Sequence, residues 1–107
     1  MVLFMAPKEV IAEWMKKPEA ERQAAETKMR ADWDTWMSAH ADVMMKTIAL
    51  GKTKRVSSAG VEDTKNDLML SSYAQGESAD AVAAVFTDHP HLGIPGATIE
   101  IIETRQM

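Results

Sequence analysis

The chain has 107 residues, a formal net charge of −4 at pH 7 and no cysteine. The missing cysteine excludes disulfides, thiolate nucleophiles and thiolate metal sites, and the interspersed acidic and basic residues argue against a nucleic-acid or membrane partner. No apolar run approaches the roughly 20 residues of a membrane span. We therefore expect one cytoplasmic domain over residues 1–107, small enough that a homodimer is the first expectation for its assembly.

A short strand and two helices are predicted in the first half of the chain. Residues 2–6 form an apolar run bounded by Pro7, which predicts a buried strand. Apolar residues then recur at helical spacing until Pro18, which is expected to end that helix because proline is not tolerated in a helix interior. The longer helix behind it carries large side chains on one face: Met29, Trp33, Trp36, Met37 and His40. We interpret this face as core, with stacking of a planar ligand on the tryptophans as the alternative.

The middle of the chain is predicted to hold strands and turns. Residues 43–50 fit either the end of a helix or a strand, whereas residues 54–58 predict a strand before Gly60. Residues 63–67 are polar and predict a turn, and residues 68–74 predict a further strand. The nine methionines of the chain favour gap filling at an interface between subunits, and an adaptable binding surface is the alternative.

A helix and a last strand are predicted at the end of the chain. Ser78 is placed to cap a helix whose apolar face holds Val82 and Phe86. Pro95 and Gly96 predict a turn, and residues 98–103 predict a strand. The whole order predicts an α+β fold, a ferredoxin-like split βαβ arrangement with an antiparallel four-stranded sheet and helices on one face. The other face of that sheet would need a cover.

Two histidines and a strand carboxylate lie close together near the end of the sequence. His91 and Glu100 are candidates for a catalytic proton-transfer pair, because a neighbouring carboxylate fixes the tautomer of an imidazole and favours its charged form. The alternative is structural, with the histidine packed against a turn and Glu100 in solvent. Both alternatives remain open at this stage.

The histidines also suggest ligand or metal binding. His89 and His91 stand at alternate positions, so their rings can converge on a ligand. A metal shell would need a third group such as His40 or Glu100, and nothing in the spacing demands either. We predict no metal site and, because the sequence holds no phosphate loop or dinucleotide motif, no cofactor. His89 and His40 stay as ligand-binding candidates.

The residues described so far resemble those of the YCII-related family. The resemblance covers most of the chain and rests on matches that keep their order and spacing, which are Trp33, Trp36, Gly51, Lys54, Val56, Ser57, Ser58, Gly60, Val61, Asn66, Pro90, His91, Leu92, Gly96, Ile99, Glu100 and Ile101. It implies a homodimer in which two four-stranded sheets pack face to face as a dimeric α+β barrel, with a cleft beside the sheet. It also implies a protein of unknown function or a small-molecule enzyme whose active site uses a His and Asp pair.

The chain departs from the family pattern at two places. Where the family has an Asp-Pro-Gly-like turn, this chain has Met45, Lys46 and Thr47, so no aspartate can be assigned from the resemblance. Its tyrosine lies two residues beyond the family's position, at Tyr73, which we keep as a ligand-binding candidate. Only His91 matches a family position that we would transfer.

Two functions follow from these patterns. The first is binding of a small organic molecule in a cleft near His91, with or without acid–base turnover of a lyase or hydrolase type. The second is a non-catalytic dimeric module that regulates or assembles with another protein. The sequence does not decide whether the protein is an enzyme.

Overall fold

The computed structural model of the chain describes residues 1–105, so the predicted domain extends two residues beyond the described range. In chain order the elements are β1 (Val2–Met5), α1 (Lys8–Met15), α2 (Glu19–Ala39), β2 (Met44–Ala49), β3 (Thr53–Ser57), β4 (Gly60–Thr64), β5 (Leu68–Ala74), α3 (Ala79–Val85), a 3₁₀ turn (Pro90–Gly93) and β6 (Thr98–Ile101). The predicted α+β class is confirmed.

Four of these strands form one antiparallel sheet in the order β2-β5-β1-β6, as predicted for the fold class. The central strand β1 pairs Phe4 with Leu70 of β5 on one side and with Ile99 of β6 on the other. Val2 and Phe4 are buried beneath the helices. Because side chains alternate along a strand, Leu3 and its cross-strand partners Ser71 and Glu100 point to the opposite face.

The second strand of the sheet is not the one that the sequence predicted. The segment 54–58 was expected in the sheet, but β2 takes that place, and β3 pairs only with β4 in a separate two-stranded sheet. Asp63 belongs to β4 rather than to the predicted turn. The physical reason is that β3 and β4 carry opposite charges at facing positions, with Lys54 paired to Asp63 and Arg55 paired to Glu62. The strand β2 instead supplies an apolar side chain, Met44, which is buried in the core.

The helices begin where their sequence signals place them. Pro18 stands before the first residue of α2 and separates it from α1. The hydroxyl of Ser78 accepts a hydrogen bond from the backbone N–H of Ala81 at 3.1 Å, which caps α3. Trp36 is buried on α2, and Trp33 packs beside it against the sheet. Trp36 is therefore part of the core, as predicted, whereas Trp33 is only half-buried.

The hydrophobic core lies between the helices and one face of the sheet. Its buried members come from β1, α2, β2 and the α3 region and are Val2, Phe4, Trp36, Met44, Val82 and Phe86. Phe4 is fully buried, with its ring centroid 5.0 Å from that of Trp33 and 6.2 Å from that of Phe86. This cluster joins the first strand to α2 and to the end of α3.

The predicted turn at Pro95 and Gly96 is present, and it brings the chain back against the start of α1. Gly96 has a φ of +74°, and a Cβ atom there would lie 2.8 Å from Cγ of Pro7. Only glycine meets both requirements without strain.

Gly96→Ala is therefore expected to lower the free energy of unfolding by about 1–3 kcal/mol, through the left-handed backbone and the clash with Pro7. The matched control is Gly93→Ala, because Gly93 has open space around its Cβ position and no positive φ. Urea unfolding of both variants measures the difference. Equal stability of the two variants would contradict the account.

Candidate functional site

The segment from His89 to His91 is held by a 3₁₀ turn between α3 and β6. Pro90 occupies the first position of this turn. The fixed φ of proline suits a helical turn, and a backbone N–H at this position would have no partner within the turn, so its absence costs no hydrogen bond. Nδ1 of His89 accepts a hydrogen bond from the backbone N–H of His91 at 3.0 Å, which caps the turn. Both imidazoles point into the protein and are almost fully buried, with 2 % and 1 % of their surface exposed.

His89 sits among aromatic rings at the centre of the core. Its ring centroid lies 4.4 Å from Trp33, 4.4 Å from Trp36 and 5.1 Å from Phe4. Burial, followed by the neighbouring imidazole of His91, lowers the pKa of His89 from 6.5 to about 4, against the opposing carboxylate of Asp88. His89 is therefore neutral at pH 7.

The proton of neutral His89 is fixed by its contacts. Because Nδ1 is an acceptor, the proton belongs on Nε2. Within residues 1–105, Nε2 is buried and has no hydrogen-bond partner. The faces of Trp33 and Trp36 offer only weak N–H to ring interactions. The imidazole therefore serves as a cap and a packing group in the core.

His91 ties the turn to the end of the first strand. Its Nε2 donates a hydrogen bond to the carbonyl of Met5 at 2.8 Å. Burial lowers the pKa of His91, and the carbonyls of Met5 and Thr98 offset only part of that effect. His91 is thus a second neutral imidazole, and its Nε2 proton is already used in the hydrogen bond to the carbonyl of Met5.

The structure does not bring the other predicted site residues to His91. Glu100 pairs with Leu3 across the β1–β6 ladder, on the face of the sheet opposite Phe4, and is exposed. Tyr73 is half-exposed and shares the Glu100 face, since its neighbour Ser72 is buried on the other side. The sheet therefore separates Glu100 and Tyr73 from the histidines.

His40 lies nearer to the histidine turn, at the end of α2. Its ring stacks on Trp36 with centroids 4.0 Å apart, and its Nδ1 donates to the carbonyl of Trp36 at 2.8 Å. Nε1 of Trp36 in turn donates to the carboxylate of Asp88 at 3.2 Å, beside His89. His40 is half-buried and closes the outer side of the aromatic cluster.

A cleft of about 430 Å³ opens beside His91, between α2, the start of β5 and the segment after the 3₁₀ turn. Apolar side chains provide most of its wall, and charged residues of α2 stand along it. The lining residues are Glu26, Met29, Arg30, Trp33, Asp34, Met69, Leu70, His91 and Ile94. Of these residues, the sequence pattern singled out Met29, Trp33 and His91, whereas the charged residues were not predicted.

The charged residues of the cleft had a detectable signal. Glu26, Arg30 and Asp34 are spaced four residues apart, so they form one stripe along α2, adjacent to the stripe of Met29 and Trp33. The three side chains are exposed, so in the sequence their stripe has the pattern of a solvated helix face, and only the positions of β5 and the 3₁₀ turn make it the border of a cleft.

A second cavity, of about 320 Å³, lies at the other end of β1, between Met1, Gly76 and Ser78. None of the predicted site residues line it. Across residues 1–105, no three His, Cys, Asp or Glu side chains are grouped as a metal site would require. None of the helices in that range has both the length and the apolar character needed to cross a membrane.

Comparison with known proteins finds no matching family model, no matching curated protein and no matching solved structure.

The buried neutral His89 makes stability depend on pH. Its folded pKa is below its unfolded value, so the unfolded chain binds more protons and stability falls as pH drops from 6.5 to about 4. The expected slope is about 1.4 kcal/mol per pH unit for one such group, and larger if His91 contributes. Urea unfolding between pH 7.5 and 5 measures it above the range in which most carboxylates titrate.

The control for this experiment is His89→Asn, which keeps a side-chain acceptor at the cap of the turn but cannot titrate in that range. This variant is expected to be less stable at pH 7 and to show a shallower slope. An unchanged slope in His89→Asn would assign the pH dependence to other groups.

Proposed function

We propose that this protein binds a small organic molecule in the cleft between α2, β5 and the 3₁₀ turn, and that it does so as a homodimer. The observation that carries the proposal is the cleft itself, with buried His91 in its wall. Its volume falls within the range of about 300–1,000 Å³ that is typical of small-molecule sites. Met29, Met69 and Ile94 supply apolar contact, and Trp33 adds an aromatic surface.

The polar groups of the cleft favour a ligand with an apolar body and a polar end. Arg30 stands between Glu26 and Asp34 along α2. The guanidinium of Arg30 can pair with a negative group on a ligand, and the carboxylates of Glu26 and Asp34 can pair with a positive one. The three side chains are neighbours because they are spaced four residues apart on α2. The ligand would therefore place its apolar part against Trp33 and its polar end at the mouth.

Binding without turnover is better supported than acid–base catalysis. Catalysis by His91 needs a free proton site and a carboxylate to orient it. The Nε2 proton of His91 is donated to Met5, and Glu100 lies across the sheet. Lyase or hydrolase activity would require His91 to act through Nδ1 without Glu100.

The family assignment is part of this proposal. A β-α-β-β-α-β order, with the β3–β4 hairpin inserted, and the strand order β2-β5-β1-β6 support a ferredoxin-like split βαβ topology. This topology is the one that the resemblance to the YCII-related family implies. A cytoplasmic location, expected from the composition, belongs to the same proposal.

The surface area of the chain supports the homodimer. The chain exposes 7912 Å², whereas a compact monomer of 11.8 kDa is expected to expose about 5,900 Å². Its radius of gyration is 15.6 Å, against about 13 Å for a compact domain of similar length. An excess of about 2,000 Å² is more than the roughly 800 Å² per partner that a standard interface buries.

The uncovered face of the sheet is the proposed contact between subunits. We call it the exposed sheet face, and it includes Ile48, Tyr73 and Ile102, which are 47 %, 50 % and 45 % exposed, together with half-buried Leu3. Large apolar side chains on one unpartnered face mark an interaction site. Two such faces packed together would form the barrel that the family resemblance implies.

Thermal unfolding across organic acids, amines and aromatic metabolites tests the binding proposal. One chemical class is expected to raise the melting temperature by on the order of 10 °C at 100 times its dissociation constant. The shift should disappear in Met69→Lys, which puts a charge in the cleft, and persist in Met15→Lys, where the methionine is largely exposed elsewhere. A flat panel, or equal shifts in both variants, would contradict the proposed site.

Light scattering at micromolar concentration tests the homodimer. The expected mass is twice 11.8 kDa. Tyr73→Lys should shift the population toward monomer, because it puts a charge in the exposed sheet face, while Ala83→Lys on the solvent side of α3 should not. A wild-type mass of one chain would refute the dimer and leave the cleft proposal standing.

The alternative function is a dimeric module that binds another protein. The position of Glu100 across the sheet from His91 favours it, because that carboxylate does not orient the imidazole for catalysis. A dimer in the scattering experiment together with a flat ligand panel would favour this alternative.

A further inference from the structure

The β3–β4 hairpin stands apart from the rest of the fold. Its strands pair only with each other, through a two-residue loop at Ser58 and Ala59. All its strand residues are exposed except Thr53 and Thr64 at the base. Nδ2 of Asn66 donates to the hydroxyl of Thr53 at 3.3 Å, so the base is tethered while the strands extend outward.

One side of the hairpin carries an apolar pair. Val56 lies directly opposite Val61, and these side chains are 77 % and 66 % exposed. Side chains alternate along each strand, so Arg55 and its partner Glu62 occupy the other side, whereas the ion pair of Lys54 and Asp63 lies beside the valine pair. An isolated two-stranded hairpin is only marginally stable in water, so covering the valine pair would stabilise it.

The charge of the hairpin is opposite to that of the remaining chain. Residues 51–65 contain four basic and two acidic residues, a net charge of +2, whereas the other residues contain eight basic and fourteen acidic ones, a net charge of −6. Opposite charges favour encounter between the hairpin and the body of another copy.

Along the chain, the hairpin connects two neighbouring strands of the four-stranded sheet. It follows β2, which places Ile48 on the exposed sheet face, and it leads into β5, which places Tyr73 there. The valine pair and the exposed sheet face thus belong to one length of chain, and both contribute to the surface excess.

We propose that the hairpin is a docking arm that packs Val56 and Val61 against a second copy of this chain. The proposal rests on the homodimer of the preceding subsection and adds a second contact to it. The excess of about 2,000 Å² per chain is large enough for both contacts, since obligate homodimers bury 2,000–5,000 Å² in total. The opposite charge of the arm and the body favours another copy of the chain as the partner.

Val56→Lys and Ser57→Lys test the arm as a matched pair. The two positions are neighbours on β3, both are exposed, and only Val56 is on the side of the valine pair. Dimer dissociation constants are measured by sedimentation velocity over a dilution series. Val56→Lys is expected to weaken the dimer roughly tenfold or more relative to Ser57→Lys.

Hydrogen exchange of the wild-type chain provides a second measurement, and because it needs no substitution, a folding defect in a variant cannot affect it. The backbone amides of β3 and β4 should be protected at concentrations where the dimer forms, and should exchange faster after dilution to monomer. Protection that is independent of concentration would overturn the arm.

The outcomes separate the arm from the dimer. If Val56→Lys and Ser57→Lys dimerise equally while Tyr73→Lys dissociates, the arm is refuted and the dimer through the exposed sheet face stands. If the wild-type chain is monomeric at all concentrations, both are refuted. A selective loss in Val56→Lys, with concentration-dependent protection of the hairpin, supports the arm.

Discussion

The burial of Phe4 is the interaction on which the rest of the structure depends. Its ring contacts Trp33 of α2 and Phe86 at the end of α3, and it lies 5.1 Å and 5.5 Å from the imidazoles of His89 and His91. One side chain of the central strand therefore joins the long helix, the short helix and the 3₁₀ turn. Because dispersion contacts are weak individually and large in sum, a fully buried ring with such neighbours fixes how these elements meet.

The same packing decides what the histidines can do. A charged imidazole inside this aromatic cluster would lose its hydration, so burial keeps His89 and His91 neutral at pH 7. Their nitrogens are used to cap the turn and to hold it against Met5. The site therefore offers a shaped cleft with a polar mouth rather than a prepared acid–base pair. This geometry is why we propose recognition of a ligand rather than catalysis.

A one-sided arrangement of helices has a cost for so short a chain. The helices cover only one face of the sheet, so the other face keeps large apolar side chains in contact with water. The hairpin adds a further valine pair that nothing in residues 1–105 covers. A second copy can cover both surfaces at once, which is how small domains commonly supplement a limited core.

Local signals in the sequence determined the elements whose cause is local. Pro18 separates the helices, Ser78 caps α3, and the spacing of Trp33 and Trp36 marks the buried face of α2, because these effects act within a few residues. Only the tertiary structure decided that β2 rather than β3 enters the sheet, that His91 lies on the face away from Glu100, and that the charged stripe of α2 borders a cleft. These outcomes depend on pairing and packing between segments far apart in the chain, which a local pattern does not encode.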